Sequence, residues 1–379
     1  MKNISIFLSA ISRKNGGSST ILDLASRLKK LNKNIRINSL LGFFDLFLYQ
    51  PKYFDSKKFS ISVFSVNDLR INSINFFKKI INTFFRYREP KEDIDLIIDA
   101  SILKKSSLLK FKKGNTKAIL NHAGSPIAFK EYFLRVKSFD EYLDFCSSYD
   151  GLIFQSKNQM NLYLKFRKDF MQEQKFFCCV PPANENQIRD TLAIEKKRSS
   201  ENKKIACIGS IQPRKNQEEI IDFAKELLKD TKDFQFQIIG NYLDKNYVRM
   251  LQEKISENNL QENIVILGFR NDYLKIMHNA DFILHPSKEE GVSRVIREAM
   301  ALGKLVIAYD LEGTLDLISS EAELYLCKDK TEMLDALVLA LKNNKTIKDY
   351  ESKSFRRYWN DLSEKSYNEK LKKFLISWS

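Results

Sequence analysis

The chain has 379 residues, a length that predicts two domains rather than a single core. Hydrophobic residues make up 43% of the sequence and aromatic residues 12%, which excludes an intrinsically disordered protein. The formal net charge is +15, and residues 1–190 carry nearly all of it, with 32 Lys and Arg against 18 Asp and Glu. This balance favours an anionic partner for the N-terminal half, such as an acidic membrane surface, although a solvated lysine-rich surface would give the same counts.

The sequence also excludes several classes of protein and of site. No apolar run reaches the roughly 18–20 residues that a membrane span needs. The start, MKNISIFLSAISRKNGG, is interpreted as a first strand and loop rather than a signal peptide, because a polar Gly-Gly stretch ends the apolar run. The five cysteines have neither metal nor disulfide spacing, which fits a reduced, cytoplasmic protein. No metal ion or other cofactor is expected.

The N-terminal half alternates strand and helix patterns. A Gly-Gly loop and an amphipathic helix over residues 16–31 follow the first strand, which is predicted at 4–11. Such alternation is typical of a parallel sheet covered by helices on both faces. Further strands are predicted at 35–40, 95–101, 117–124, 151–156 and 175–181.

The polar stretch 183–202 is predicted to be an interdomain linker, after which the alternation restarts. A helix is predicted from about Asn216 to 229, among strands at 203–211, 234–240, 263–269, 281–287 and 304–310. The predicted architecture is two doubly wound domains facing across a cleft, 1–190 and 191–350, with a helical tail over 351–379. In such sheets ligands bind beyond the carboxyl ends of the strands, so the cleft is the expected site.

The first candidate motif is IGSIQPRKNQEE, where a strand ends at Ile208 and Gly209 makes the turn. Arg214 and Lys215 stand just before the predicted helix. Two cations beside the amino terminus of a helix would suit a diphosphate. The motif lacks the glycines of a P-loop and of a dinucleotide fingerprint, so an ordinary polar turn remains the alternative.

The second candidate motif is HPSKEEGVSRVIREAMALGK, residues 285–304. Ser293 is a suitable N-cap for a helix over 294–302, and Gly303 is a suitable stop. Glu290 therefore belongs to the preceding loop and Glu298 to the helix, where both carboxylates could accept hydrogen bonds from the hydroxyls of one ligand. The alternative for Glu298 is a solvated helix face, paired with Arg294.

These motifs resemble those of the retaining glycosyltransferases of family 4, which have the GT-B fold. The pieces IGSIQPRK, PSKEEGVSRVIREAMALGKLVIAYD and EGTLD occur in the family's order, and the resemblance covers roughly residues 203–320. The first half is similar more loosely, through GGSSTILDLASRL and LNHAG. The resemblance also implies a C-terminal helix that crosses back to the first domain.

The resemblance implies a nucleotide-sugar donor, a UDP- or GDP-sugar, bound without a metal ion. Lys215 would hold the diphosphate, Glu298 the ribose, and Glu290 the transferred sugar. The other residues implied at the donor site are Gly209, Ser210, Arg214, Phe269, Arg270, Gly291, Val292 and Ser293. The family has Arg where this chain has Ser210, and Arg214 is the candidate replacement.

For the first domain, the resemblance implies that Gly16 and Gly17 let a loop approach donor and acceptor, and that His122 lies near the reacting centre. A structural histidine is the alternative for His122, and His278 and His285 are interpreted as structural. The acceptor is expected to be a glycan or a lipid-linked glycan in polysaccharide or glycolipid synthesis. The basic, aromatic stretch 71–91 is either a helix on an anionic membrane or a core helix.

Three other functions remain open from the sequence. A GT-B relative could hydrolyse or epimerise a nucleotide sugar instead of transferring the sugar. An inactive partner subunit would also keep the fold. A nucleic-acid-binding protein would explain the basic charge, but the chain has no helix-turn-helix, zinc or aromatic RNA-binding signature, so no nucleic-acid partner is expected.

Overall fold

The computed structural model describes most of the second half of the chain and parts of the first. The described residues are 2–10, 16–31, 33–41, 60–63, 93–100, 109, 112–122, 138–167, 174–195, 202–319 and 323–378. They divide into two compact units, Met1–Cys179 with Asn368–Ser379, and Val180–Tyr367. The predicted helix at 71–91 lies outside the described residues.

The first unit contains a parallel sheet in the order β3-β2-β1-β4-β5-β6-β7. Its strands are β1 (Asn3–Ala10), β2 (Asn34–Leu41), β3 (Ser60–Val63), β4 (Leu96–Ala100), β5 (Lys117–His122), β6 (Gly151–Phe154) and β7 (Lys175–Cys178). Its helices include α1 (Gly16–Lys30), α2 (Phe139–Ser147) and α3 (Lys157–Phe166). The predicted strands are present, but β3 was not predicted, because its sequence SISV is short and half polar.

The helices of this unit form where the sequence supplies caps and an apolar face. Ser138 and Ser156 cap α2 and α3, each accepting a hydrogen bond from a backbone N–H three residues on. The predicted apolar face of α1 is buried at every position: Ile21, Leu22, Leu24, Ala25 and Leu28. Helix α1 begins at Gly16, so Gly16 and Gly17 open the helix instead of forming a loop before it.

The second unit contains a parallel sheet in the order β10-β9-β8-β11-β12-β13. Its strands are β8 (Lys203–Ile208), β9 (Phe234–Ile239), β10 (Ile264–Gly268), β11 (Phe282–His285), β12 (Val306–Tyr309) and β13 (Tyr325–Cys327). From β8 the strand order continues outward through β9 and β10, and from β11 it continues in the opposite direction through β12 and β13. The gap between β8 and β11 is therefore the topological switch point. Loops that follow these two strands therefore meet at the edge where such sheets bind ligands.

Helices cover both faces of the second sheet. They are α4 (Glu185–Leu192), α5 (Glu219–Leu227), α6 (Lys245–Glu257), α7 (Tyr273–Asn279), α8 (Arg294–Ala301), α9 (Glu312–Leu315), α10 (Lys330–Lys342) and α11 (Asn344–Arg357). A π turn at Tyr358–Leu362 leads to α12 (Glu364–Ile376), most of which belongs to the first unit. In the part of the chain that the structure describes, none of the helices has the length and apolar character to cross a membrane.

The passage between the units differs from the expected linker at 183–202. Residues Glu185–Leu192 form α4, and Ile188 is buried in the core of the second unit with Leu274 and Met277. The stretch is polar overall, but one face of it is buried, and this tertiary packing stabilises the helix. The first unit ends at Cys179, before the predicted boundary at 190, and the chain returns to it at Asn368 within α12.

Candidate active site

Two loops meet at the switch point of the second unit. They are the β8 loop, residues 209–218, and the β11 loop, residues 286–293. The Lys288 backbone N–H donates to the Arg214 carbonyl at 3.1 Å, and Arg214 Nη1 donates to the Glu289 carbonyl at 2.7 Å. Backbone and side chain therefore join the two loops directly.

The β8 loop departs from the predicted strand–helix turn. A single 3₁₀ turn, Pro213–Lys215, precedes Asn216, which adopts a left-handed conformation with φ 56° and ψ 35°. Helix α5 consequently begins at Glu219 rather than near Asn216. Because the first turn of α5 already holds the carboxylate of Glu219, Arg214 and Lys215 are better placed to attract an anion than the amino terminus of the helix.

A hydrogen-bond network fixes the residue after Lys215. The Asn216 side-chain amide donates to Glu219 Oε2 at 2.8 Å, and the Tyr309 hydroxyl donates to the same oxygen at 2.5 Å. Burial, followed by the bond to Glu219, raises the pKa of Tyr309, so its hydroxyl stays protonated and remains a donor. The left-handed turn that presents Lys215 is thus supported from α5 and β12.

The β11 loop leads into helix α8 as predicted. The Ser293 hydroxyl accepts from the Ile296 backbone N–H at 3.4 Å, and Gly303, with φ 63°, follows the end of the helix. Gly313 of α9 supports the loop from the other side. A Cβ at Gly313 would lie 1.4 Å from the Gly291 carbonyl oxygen, so only glycine leaves room for this loop.

Glu290 is the centre of the contacts between the loops. Its Oε1 accepts a hydrogen bond from the Lys215 ammonium and lies 2.8 Å from His285 Nε2, while its Oε2 lies 4.0 Å from Arg214 Nη1. Burial of the carboxyl opposes ionisation, but the hydrogen bond and charge of His285 and the charge of Lys215 outweigh it and lower the pKa of Glu290 to about 2. The site therefore holds an ionised carboxylate.

His285 belongs to this cluster, although the sequence suggested a structural role for it. It is the last residue of β11, it is buried, and its Nε2 also lies 3.4 Å from the Ser293 hydroxyl. The signal that could have found it is its position at the carboxyl end of a strand beside the switch point.

Glu298 has a different environment one turn inside α8. Its side chain is 3% exposed, so the alternative of a solvated helix face is wrong. The Tyr273 hydroxyl of α7 donates to Glu298 Oε1 at 2.9 Å, and Arg294 Nε lies 3.5 Å from the same oxygen. Burial and the nearby charge of Glu298 raise the pKa of Tyr273, which keeps this hydroxyl a donor. Sequence reasoning missed Tyr273.

Helix α8 is also tied to the segment where the chain enters the second unit. The buried Arg297 donates through Nε to the Ser293 carbonyl at 3.3 Å and through Nη1 to the Pro181 carbonyl. A side chain in the helix that carries Glu298 therefore binds the backbone at Pro181–Pro182.

The remaining predicted donor residues lie on the same edge of the sheet. Ser210 stands where the family resemblance implies an arginine, and its hydroxyl accepts a hydrogen bond of 2.7 Å from the Gln212 side chain. Gly268 has φ 65° at the end of β10, and Phe269 after it is 55% exposed. Arg270 is engaged by Asp272 through two hydrogen bonds of 2.8 and 2.9 Å.

The predicted residues of the first unit are described only as parts of its elements. Gly16 and Gly17 open α1, and His122 is the last residue of β5, at the carboxyl edge of the first sheet. Their roles stay predictions. Among the residues that the structure describes, no group of three or more His, Cys, Asp or Glu side chains could hold a metal ion.

Comparisons with known proteins agree with these observations. Residues 189–357, all of them in the second unit, match the family "Glycosyl transferases group 1". UDP-Gal:alpha-D-GlcNAc-diphosphoundecaprenol alpha-1,3-galactosyltransferase of Escherichia coli is 26% identical over 42% of this chain and only 41% of its own length. An uncharacterized glycosyltransferase of Haemophilus influenzae is 21% identical over 90% of this chain and 91% of its own.

Solved structures are similar along the whole chain. Anabaena Alr3699/HepE in complex with UDP has a TM-score of 0.72 and 17% identity, covering 100% of both chains. WaaG, a glycosyltransferase involved in lipopolysaccharide biosynthesis, has a TM-score of 0.63 and 16% identity over 98% of this chain and 99% of its own. The chain therefore has the GT-B fold with two Rossmann-like domains, as the sequence predicted.

Proposed function

We propose that this protein is a retaining glycosyltransferase that moves a sugar from a nucleoside diphosphate sugar to a glycan or a lipid-linked glycan. The observation that carries the proposal is the cluster of Lys215, Glu290 and His285 where the β8 and β11 loops meet. This cluster lies at the switch point of a domain of the group 1 glycosyl transferases.

Cleavage of the bond between sugar and phosphate develops negative charge on the leaving diphosphate. Lys215 and Arg214, presented by one 3₁₀ turn, are two fixed cations that can stabilise this charge. In this proposal they fill the role for which a metal ion would otherwise be needed. The donor is a UDP- or GDP-sugar, and structures of Anabaena HepE with UDP and UDP-glucose support the choice of uridine for the first tests.

Glu290 and Glu298 would bind hydroxyl groups of the donor. A carboxyl with a pKa near 2 is a weak base and a weak nucleophile, which supports a hydroxyl-binding role for Glu290 over a covalent intermediate. In this proposal the acceptor attacks from the face that the diphosphate leaves, and a phosphate oxygen takes the proton of the acceptor. Glu298, with the Tyr273 hydroxyl, would hold the ribose, and Phe269 the nucleobase.

The acceptor would be linked to a lipid and reached at a membrane surface. The relatives in Escherichia coli and Campylobacter jejuni are named for acceptors that are linked to diphospho-undecaprenol. The excess of Lys and Arg in residues 1–190 would attract an anionic leaflet. A cytoplasmic protein that binds the inner face of the membrane peripherally is consistent with both observations.

The test begins with a thermal-shift screen of nucleotides and nucleotide sugars, because a ligand that binds the folded state raises the Tm. Transfer from the best donor is then measured in wild type and Lys215→Ala. We expect the variant to keep its fold and to lose about 10²-fold or more in transfer, the cost of losing one contact to the developing charge.

Lys225→Ala is the matched control, since it removes an exposed lysine from the last turn of helix α5, the helix that follows the same loop. Near-normal transfer by Lys215→Ala would refute the assignment of the diphosphate site. Release of free sugar in the absence of any acceptor would indicate a nucleotide-sugar hydrolase and would overturn the proposed transfer.

A further inference from the structure

One oxygen of Glu290 contacts two nitrogen atoms that come from different elements. Oε1 accepts from Lys215, on the 3₁₀ turn of the β8 loop, and lies 2.8 Å from Nε2 of His285, on strand β11. An ionised carboxylate can only accept hydrogen bonds, so Nε2 of His285 carries a hydrogen and donates it. Glu290 thus has one flexible partner and one on a strand.

In the proposed function, Lys215 also binds the donor, whereas His285 does not. If Lys215 binds the donor diphosphate, its ammonium group divides its hydrogen bonds between phosphate and Glu290 or leaves Glu290 altogether. The side chain of Glu290 is only 9% exposed, and a buried carboxylate without a partner is strongly disfavoured. Glu290 then needs a second partner that does not move with Lys215.

His285 has the properties of that second partner. Strand β11 lies between β8 and β12, and His285 is in register with Ala308 of β12. The imidazole is buried, and the hydroxyl of Ser293, which caps α8, lies 3.4 Å from the same Nε2. Its short side chain has two rotatable bonds, whereas Lys215 reaches Glu290 over four. The other charged group near the carboxylate is Arg214, with Nη1 4.0 Å from Oε2.

We propose that His285 is a positioning residue, which holds Glu290 ionised and in place independently of Lys215, so that Lys215 can turn to the diphosphate. The inference rests on the proposed function for the role of Lys215. The contact between His285 and Glu290 can be tested without any ligand.

The ligand-free test is a mutant cycle on thermal stability. We expect His285→Leu to lower the Tm more in the Lys215→Ala background than in wild type, by roughly 5 °C, because Glu290 then loses its last donor. Adding Glu290→Gln should abolish this excess. A histidine that only fills space would cost the same Tm in both backgrounds, and that result would overturn the proposal.

Conservative variants separate the hydrogen bond from packing. His285→Gln keeps an N–H donor of similar reach and should recover most of the loss, and failure to do so would contradict the proposal. His278→Gln, which replaces a buried histidine of α7, should lower the Tm equally with and without Lys215. If His285→Leu does not fold, His285→Asn, with a shorter amide, runs the same cycle.

Binding of UDP separates this inference from the proposed function. We expect Lys215→Ala to weaken UDP binding by about tenfold or more, and His285→Leu to weaken it by about threefold or more, because without His285 the turn of Lys215 to the diphosphate leaves Glu290 without either donor. Unchanged UDP binding in Lys215→Ala would refute the diphosphate site, while the Tm cycle would still decide the role of His285. If Lys215→Ala loses UDP binding but His285→Leu binds UDP as wild type does, the positioning role is overturned.

Discussion

The β11 loop and helix α8 each present one buried carboxylate, and the two differ in the partners that surround them. Glu290 in the loop faces Lys215, Arg214 and His285, all of which reach it from β8, β11 and their loops. Glu298 in the helix faces the neutral hydroxyl of Tyr273 and Arg294 of its own helix. One environment is rich in cations, and the other is mainly a hydrogen-bonded site.

This difference suggests a polarity for the bound donor. Cations concentrated around Glu290 favour the part of the ligand where charge develops, namely the diphosphate and the anomeric carbon. A carboxylate held by a tyrosine hydroxyl favours a part that keeps its charge, such as the ribose. Three measurements test this difference between the two carboxylates, and the strongest expected change comes first.

The largest effect should come from comparing Glu290→Gln with Glu298→Gln. We expect the first to lower kcat by about 10²-fold, since it changes the charge beside the reacting centre. The second should mainly raise the KM for the donor, by about tenfold, because it weakens binding away from the reaction. Steady-state kinetics with varied donor concentration measures both. Equal losses of kcat in the two variants would contradict a separation of roles.

A smaller effect is expected from Tyr273→Phe. The change removes the hydroxyl that donates to Glu298 and leaves the aromatic ring in place. Loss of this bond should weaken nucleotide binding about three- to tenfold, the value of one ordinary hydrogen bond, because Tyr273 acts on the ligand only through Glu298. Calorimetric titration with the nucleotide measures it, with inorganic pyrophosphate as the control ligand. A variant that loses pyrophosphate binding as well would show that Tyr273 acts on the whole site.

The smallest effect concerns pH and stability. The pKa of Glu290 is lowered from 4.5 to about 2 in the folded protein, so the contribution of its ion pair is fully present above the unfolded pKa. That contribution is lost as the pH falls toward 2. The difference in Tm between wild type and Glu290→Gln should therefore shrink from pH 6 to pH 3, while Glu257→Gln, at an exposed position, provides the matched control. A constant difference would contradict the lowered pKa.

The sequence predicts those features that depend on neighbours along the chain. Ser293 and Gly303 define helix α8 because capping is a local property, and the alternation of strands and helices gives the two parallel sheets. Local order also places Glu290 in the loop and Glu298 in the helix.

The sequence does not predict features that depend on contacts between separate helices, strands and loops. Tyr273 contacts Glu298 from α7, and no spacing in the sequence relates the two. His285 lies five residues before Glu290, and its place at the carboxyl end of β11 was the signal that could have found it. The start of α5 moved to Glu219 because Asn216 is left-handed, a conformation held by Glu219 and Tyr309. Helix α4 was hidden because a polar composition predicts a linker unless the packing of Ile188 is known.

The return of the chain to its first unit at Asn368 has a consequence for biosynthesis. Phe374 of α12 packs against Phe177 of β7, with ring centroids 5.3 Å apart, so the first unit needs residues that the ribosome adds only after the second unit. The second unit, Val180–Tyr367, can therefore be finished while the first still lacks its last helix. Of these two units, the one whose synthesis begins earlier is completed later, and a fragment that ends at Cys179 would lack the Phe374 ring that packs against Phe177.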